Sequence, residues 1–350
     1  MLHVLLLLAC AVVIYLACEW FVNAVEWLGV QLKFGPIAVG TILAAAGTAL
    51  PESVVTLVAV LFGSKEHGSD IGVGAAMGGP LVVGTVAYAV TGAMILWRYR
   101  TKRALVAVSV GAPDPGADRD VTAPLGLDTV DTRRLARDQS WFLAIFVVKV
   151  GLGLVAFAVK PWLGLAFFAA YVLYFWQETR GGGEEASGED LEPLRFQPRR
   201  AVPARAAVLL QTLATLVVIF GASQLFVRQL EWAGPALGLP SVVVALLLAP
   251  IATELPEVMN AIIWVRQGKT QLAVANISGA MMIQATVPSG LGLLFTPWHF
   301  TAAPLLAGVA TILSVVYLLW IMRTGRLTGG RLVVAGGFYV AFAGALALTL

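Results

Sequence analysis

Charge is scarce in this chain. Of its 350 residues, 12% are Asp, Glu, Lys or Arg, against about 25% in an ordinary soluble domain. A water-covered surface of the usual kind is therefore excluded. Cysteine is scarce too: Cys10 and Cys18 lie eight residues apart in the first apolar run, about 12 Å of helical rise, too far for a disulfide. The three histidines, His3, His67 and His299, have no metal-ligand spacing. There is no glycine-rich phosphate loop, no dinucleotide fingerprint and no Ser-His-Asp set, so nothing points to an enzyme or to a cofactor. A net charge of +3 gives no reason to expect nucleic acid.

What is abundant is apolar sequence. Hydrophobic residues make up 59% of the chain, and the mean hydropathy is +0.86. Apolar runs of spanning length fall at roughly 3–30, 36–62, 70–97, 141–159, 162–178, 205–230, 240–265, 270–296, 301–322 and 331–349. These predict ten transmembrane helices and an all-α polytopic membrane protein. The first run has no basic flank and exceeds signal-peptide length, so it reads as a spanning helix. Two polar stretches interrupt the pattern: 98–140, expected as a cytoplasmic loop, and 179–204, expected as a cytoplasmic linker. They divide the chain into a first five-helix unit, 1–178, and a second, 205–350. The acids of 184–190 lack the Asp-x-Asp-x-Asp-Gly spacing of a calcium loop and read as solvated linker.

Orientation follows from Lys and Arg. With the N-terminus outside, 19 basic residues fall in inside loops and 3 (Lys65, Lys160 and Arg228) outside; Lys149 lies within the fourth run. Both termini are expected outside and both polar stretches in the cytoplasm, with a bacterial inner (plasma) membrane as the location.

The two halves repeat. At one constant offset, Glu26-Trp27 falls on Glu231-Trp232, Thr48 on Thr253, and Leu50-Pro51-Glu52 on Leu255-Pro256-Glu257. Five helices separate each element from its copy. An odd number sets the copies antiparallel across the bilayer, giving an inverted-topology repeat as in many secondary transporters.

The repeated Pro-Glu carries the chemistry. An ionisable residue at the centre of a spanning helix costs about 3 kcal/mol on insertion scales, so two in equivalent positions need a reason. Each proline also frees the carbonyl four residues back: that of Gly47 before Pro51, and that of Ala252 before Pro256. Thr48 and Thr253 lie one turn before Glu52 and Glu257, on the same face. Carboxylate, hydroxyl and bare carbonyl together suit a hard cation such as calcium, and two carboxylates balance one divalent charge. In the second half Glu254 adds a third acid, and Asn276 and Gln284, two turns apart, add amides on one face of the eighth helix. The corresponding segment of the third helix, 72–84, is small and apolar, so the site is lopsided.

These motifs resemble the calcium/cation antiporter superfamily, in particular the membrane region of sodium/calcium exchangers. Gly47-Thr48-Ala49-Leu50-Pro51-Glu52 is similar to that family's Gly-Thr-Ser-x-Pro-Glu run, with Ala49 in place of Ser. Ala252-Thr253-Glu254-Leu255-Pro256-Glu257 is similar to its counterpart in the seventh helix, with Glu254 in place of Ser. The resemblance implies an antiporter exchanging calcium for sodium or protons. Glu52 and Glu257 would be the central ligands, Thr48 and Thr253 would line the path, and carbonyls near Ala45 and Pro250 would complete sodium sites. It also implies oxygen-bearing side chains at Gly79, Val83, Ala280 and Gln284, of which this chain keeps only Gln284. Inorganic cations and the lipid bilayer are then the partners. Without a nucleotide loop, ion gradients supply the drive. The missing oxygens leave a second expectation open, a non-transporting membrane sensor or scaffold of the same fold. Glu26-Trp27 and Glu231-Trp232 read as interfacial anchors, and Lys149 as snorkelling or paired with an acid such as Glu19; the alternative for Lys149 is a fixed cation replacing a bound ion.

Overall fold

The computed structural model describes residues 2–32, 49–110, 130–179 and 191–350. Every regular element among them is helical. Helix α1 spans Leu2–Gln31, α2 Leu50–Phe62 and α3 Gly68–Val82. One π-helical turn, Val83–Ala87, carries α3 without a break into α4, Tyr88–Val110. Then follow α5, Thr132–Leu154, and α6, Leu163–Thr179. The second half holds α7, Arg205–Leu237; α8, Ser241–Thr253; α9, Leu255–Gln267; α10, Thr270–Phe295; α11, Ala302–Arg323; and α12, Gly329–Ala347.

Among the described residues, seven helices are long and apolar enough to cross a membrane. The others fall short for visible reasons. Helix α2 has only 13 residues, and the run that precedes it, 33–48, lies outside the described residues. Helix α6 has 17. Helix α5 opens on Arg133, Arg134, Arg137 and Asp138. The 98–140 stretch is helical at both ends: α4 runs on to Val110, and α5 starts at an Asp131 cap whose carboxylate accepts from the backbone N–H of Arg133 and Arg134. Residues 111–129, with the APDPGADRD segment, and 180–190, with the GGGEEASGED acids, lie outside the described residues.

The packing repeats between halves. α1 lies along α7, and α5 along α11. α3 packs on α8 as α2 packs on α10, and α12 on α4 as α6 on α10. This exchange of partners is what two antiparallel copies of one five-helix unit produce. Two of the contacts depend on glycine. A Cβ on Gly78 would lie 2.6 Å from the Leu246 carbonyl and 2.8 Å from the Pro250 ring, and one on Gly74 would meet Ala245 Cβ at 2.9 Å. Gly74 and Gly78 sit one turn apart, so α3 presents a flat strip against the α8 backbone, the small-residue packing of membrane helices.

The segment 191–203 is ordered against α1 and α7 rather than free linker. Leu194 is fully buried with Ala24, Trp27 and Val208. Asn23 donates to the carbonyls of Glu192 and Pro193 and accepts from Arg195 N, while Gln211 on α7 donates to Asn23 Oδ1 at 3.1 Å. Trp27 Nε1 donates to the Glu192 carbonyl at 2.9 Å, and its ring is 2% exposed. Trp27 is thus a buried contact, not the headgroup-level anchor that its repeat partner suggests. Trp232 is the half that stays open, stacked on His3 at 4.2 Å.

Candidate cation-binding site

Both Pro-Glu motifs open a helix at the same place. α2 starts after Ala49 (φ −80°, ψ −2°), and α9 starts after Glu254 (φ −101°, ψ −3°). Ala49 and Glu254 are equivalent residues in the repeat. Proline is well suited to the first turn of a helix, where its missing N–H is not needed. In each motif it lies in the first turn of the helix it opens, and in the second motif that helix follows directly on α8. Glu52 and Glu257 then fall in the first turn of α2 and α9, where unpaired backbone N–H groups favour negative charge.

Glu52 is 1% exposed and Glu257 fully buried. Neither oxygen of Glu52 has a hydrogen-bond partner among the described residues. Its carboxyl group lies flat against Gly79 of α3: a Cβ there would be 2.5 Å from Cδ and 2.6 and 2.7 Å from the two oxygens. Gly79 therefore supplies room rather than oxygen. Glu254 and Glu257 both act electrostatically on Glu52.

Glu254 sits at the break itself. Thr253 Oγ1 donates to its Oε1 at 2.7 Å, and Gln284 Nε2 to its Oε2 at 2.6 Å. Each carboxyl oxygen of Glu254 thus has a hydrogen-bond partner. The amide oxygen of Gln284 keeps no partner among the described residues. Asn276, two turns away on α10, is buried with both amide atoms likewise unbonded. The Pro250 carbonyl, a proposed sodium ligand by resemblance, accepts from Glu254 N at 2.9 Å. Ala45, Gly47 and Thr48 lie outside the described residues.

Two of the positions that lack oxygen lie together. Ala49 and Ala280 belong to one buried apolar cluster with Ile283, backed by Tyr171 and Val287. What resemblance would make a hydroxyl-lined niche between α2 and α10 is here filled by apolar side chains.

Lys149 corrects the sequence reading. It neither snorkels nor pairs with Glu19, whose carboxylate accepts from Tyr15 at 2.6 Å. The side chain is fully buried. Its Nζ donates to the Ala76 carbonyl of α3 at 2.7 Å and reaches the Gln284 carbonyl of α10 at 3.5 Å. Glu52 acts on it electrostatically. The signal that could have found this was the pair Pro80 and Pro288, which lie four residues after Ala76 and Gln284 within α3 and α10.

Among the described residues, no three His, Cys, Asp or Glu side chains converge closely enough to hold a metal ion unaided. A transported ion would draw on the neutral oxygens around the acids. The unpartnered oxygens of Glu52 and Gln284 are oxygens of the kind such an ion would satisfy, since buried polar atoms otherwise go unbonded only at a cost.

The chain matches the sodium/calcium exchanger protein family over residues 2–178 and 207–346. It belongs to that family. It is thus an integral membrane protein of the calcium/cation antiporter superfamily. Solved structures share its fold. The sodium-calcium exchanger NCX_Mj, soaked with zero Na+ and Ca2+, superposes with a TM-score of 0.60 at 16% identity, covering 99% of each chain. The H+/Ca2+ exchanger CAX does so with 0.71 at 15% identity, covering 99% of this chain and 82% of its own. Native YfkE gives 0.64 at 14% identity, over 96% and 90%. No curated protein sequence matches the chain.

Proposed function

We propose that this family member is a secondary antiporter that moves calcium across a bacterial inner membrane in exchange for sodium or protons. The observation that carries the reading is the pair of helix starts at equivalent positions, each with a buried glutamate in its first turn. The similarity to sodium/calcium and H+/Ca2+ exchangers supports it. Glu52 and Glu257 serve as the central ligands. Thr253, Glu254, Gln284 and Asn276 serve as supporting ones, and Thr48 and the Ala45 carbonyl complete the shell from the first repeat. Alternating access then requires α1 and α7 to shift against the remaining bundle, which opens the site to one side at a time.

Glu52→Gln and Glu257→Gln are each expected to abolish calcium-45 uptake into vesicles under an imposed sodium or proton gradient. Uptake retained in both variants would reject the mechanism. The apolar closure between Ala49 and Ala280 motivates the second reading, a non-transporting relative. It predicts purified protein with no saturable heat of cation binding.

A further inference from the structure

We propose that Lys149 is a tethered resident cation: its ammonium permanently fills one cation position beside Glu52, so that the site accepts a divalent ion without a co-bound monovalent one. This rests on the reading of the acids as a cation site.

The two carbonyls that hold the ammonium are the ones that prolines leave bare. Pro80 has no N–H to offer Ala76, and Pro288 has none for Gln284. Bare carbonyls at membrane depth must line a cavity or meet a cation. The Lys149 Nζ meets both, from α5, at 2.7 and 3.5 Å. Glu52 is the acid that acts on the ammonium electrostatically. Proline-freed carbonyls are the kind of ligand that the Pro-Glu motifs offer to a free ion; here an ammonium has taken two of them.

The lysine is fixed in that place. Phe146 lies one turn back, with its ring centroid 5.0 Å from Nζ, and the Trp298 ring centroid is 6.0 Å away. Trp298 Nε1 donates to the backbone carbonyl of Lys149 at 3.2 Å. Trp298 itself has a left-handed backbone, φ 47°, a strained conformation for a bulky residue that persists only when its surroundings hold it. Its indole lies flush on Gly292 of α10, with no space for a Cβ there.

The missing oxygens agree. The hydroxyl-bearing positions that a further monovalent ion would use are Ala49 and Ala280, closed on each other. Lys149 is thereby a specificity-determining residue: it takes up charge and space that a mobile monovalent ion would otherwise occupy.

The test uses the purified full-length protein, with calcium-45 and sodium-22 binding measured by equilibrium dialysis. Wild type is expected to bind calcium and, once saturated with it, to retain no sodium. Lys149→Arg, which keeps a tethered cation, should behave alike. Lys149→Gln should retain sodium-22 together with calcium, about ten-fold above wild type. Because Lys149→Gln leaves two carbonyls bare, it is paired with Lys149→Gln/Pro80→Ala, in which the new N–H reclaims the Ala76 carbonyl and supports folding. Calcium binding without any sodium gain in these variants overturns the proposal alone. A wild type that binds no calcium overturns the cation-site reading, and this inference with it.

Discussion

Gly79 and Glu52 show how much of the site is decided by single atoms. A methyl group on Gly79 would overlap the Glu52 carboxyl group. Overpacking of this kind costs about 1–3 kcal/mol, and here it falls on the ligand itself. Gly79→Ala is expected to weaken calcium affinity about ten-fold, read by titration, with a melting temperature near that of wild type. An unchanged affinity would show that Glu52 does not bind from this position. The glutamates were legible in sequence because a carboxylate is rare in an apolar run and two at one offset are rarer. Gly79 was legible only as a missing oxygen, since a glycine's role as space appears only when its neighbour is known. Lys149 was visible as a lone charge, yet its acceptors lie 73 and 135 residues away, beyond the reach of any local pattern.

At the scale of elements, the two helix starts at the Pro-Glu motifs are the working parts. Pro256→Ala would return an N–H to the Ala252 carbonyl and let α8 run into α9 across Glu254. Calcium-45 uptake is expected to fall at least about ten-fold with no loss of thermal stability, because proline is the residue that disfavours a continuous helix. Uptake equal to wild type would show that the break is set by packing instead. A second element-scale contact lies at the other end of α1, where Trp27, Asn23 and Gln211 clasp residues 191–203. Trp27→Ala removes a buried indole, a loss of about 3–5 kcal/mol in a packed core. Lower melting temperature and faster tryptic cleavage at Arg195, Arg199 or Arg200 are expected; an unaltered cleavage rate would argue against the clasp. Sequence reading placed the apolar runs well but treated 179–204 as a bare linker, because side-chain to backbone bonds across 165 to 172 residues leave no periodic trace. The helical ends of 98–140 were missed for a simpler reason: apolar content finds spans, and a charged helix end has none.

For the whole molecule, the split of basic residues predicts an orientation with both termini outside and the 191–203 segment in the cytoplasm. The two native cysteines are buried, so single engineered cysteines report cleanly. In intact cells, Glu66→Cys is expected to react with an impermeant maleimide, and Arg199→Cys to react only after lysis. The reverse pattern would invert the topology and place the ordered 191–203 segment outside. The same clasp ties α1 to α7, the long pair whose exposed apolar faces, such as Leu5, Leu8, Leu210 and Val217, are suited to lipid.

By itself, the sequence determined the all-helical membrane class, the antiparallel repeat and the identity of the acids. Each of these follows from local hydropathy or from residues recurring at one offset, and none depends on how the helices lean together. Only the tertiary structure decided the surroundings: glycine in place of an oxygen at Gly79 beside Glu52, an apolar cluster at Ala49 and Ala280, and an ammonium held on two bare carbonyls. Those are contacts between distant segments, and a buried charge takes its meaning from whichever partner the packing brings within reach.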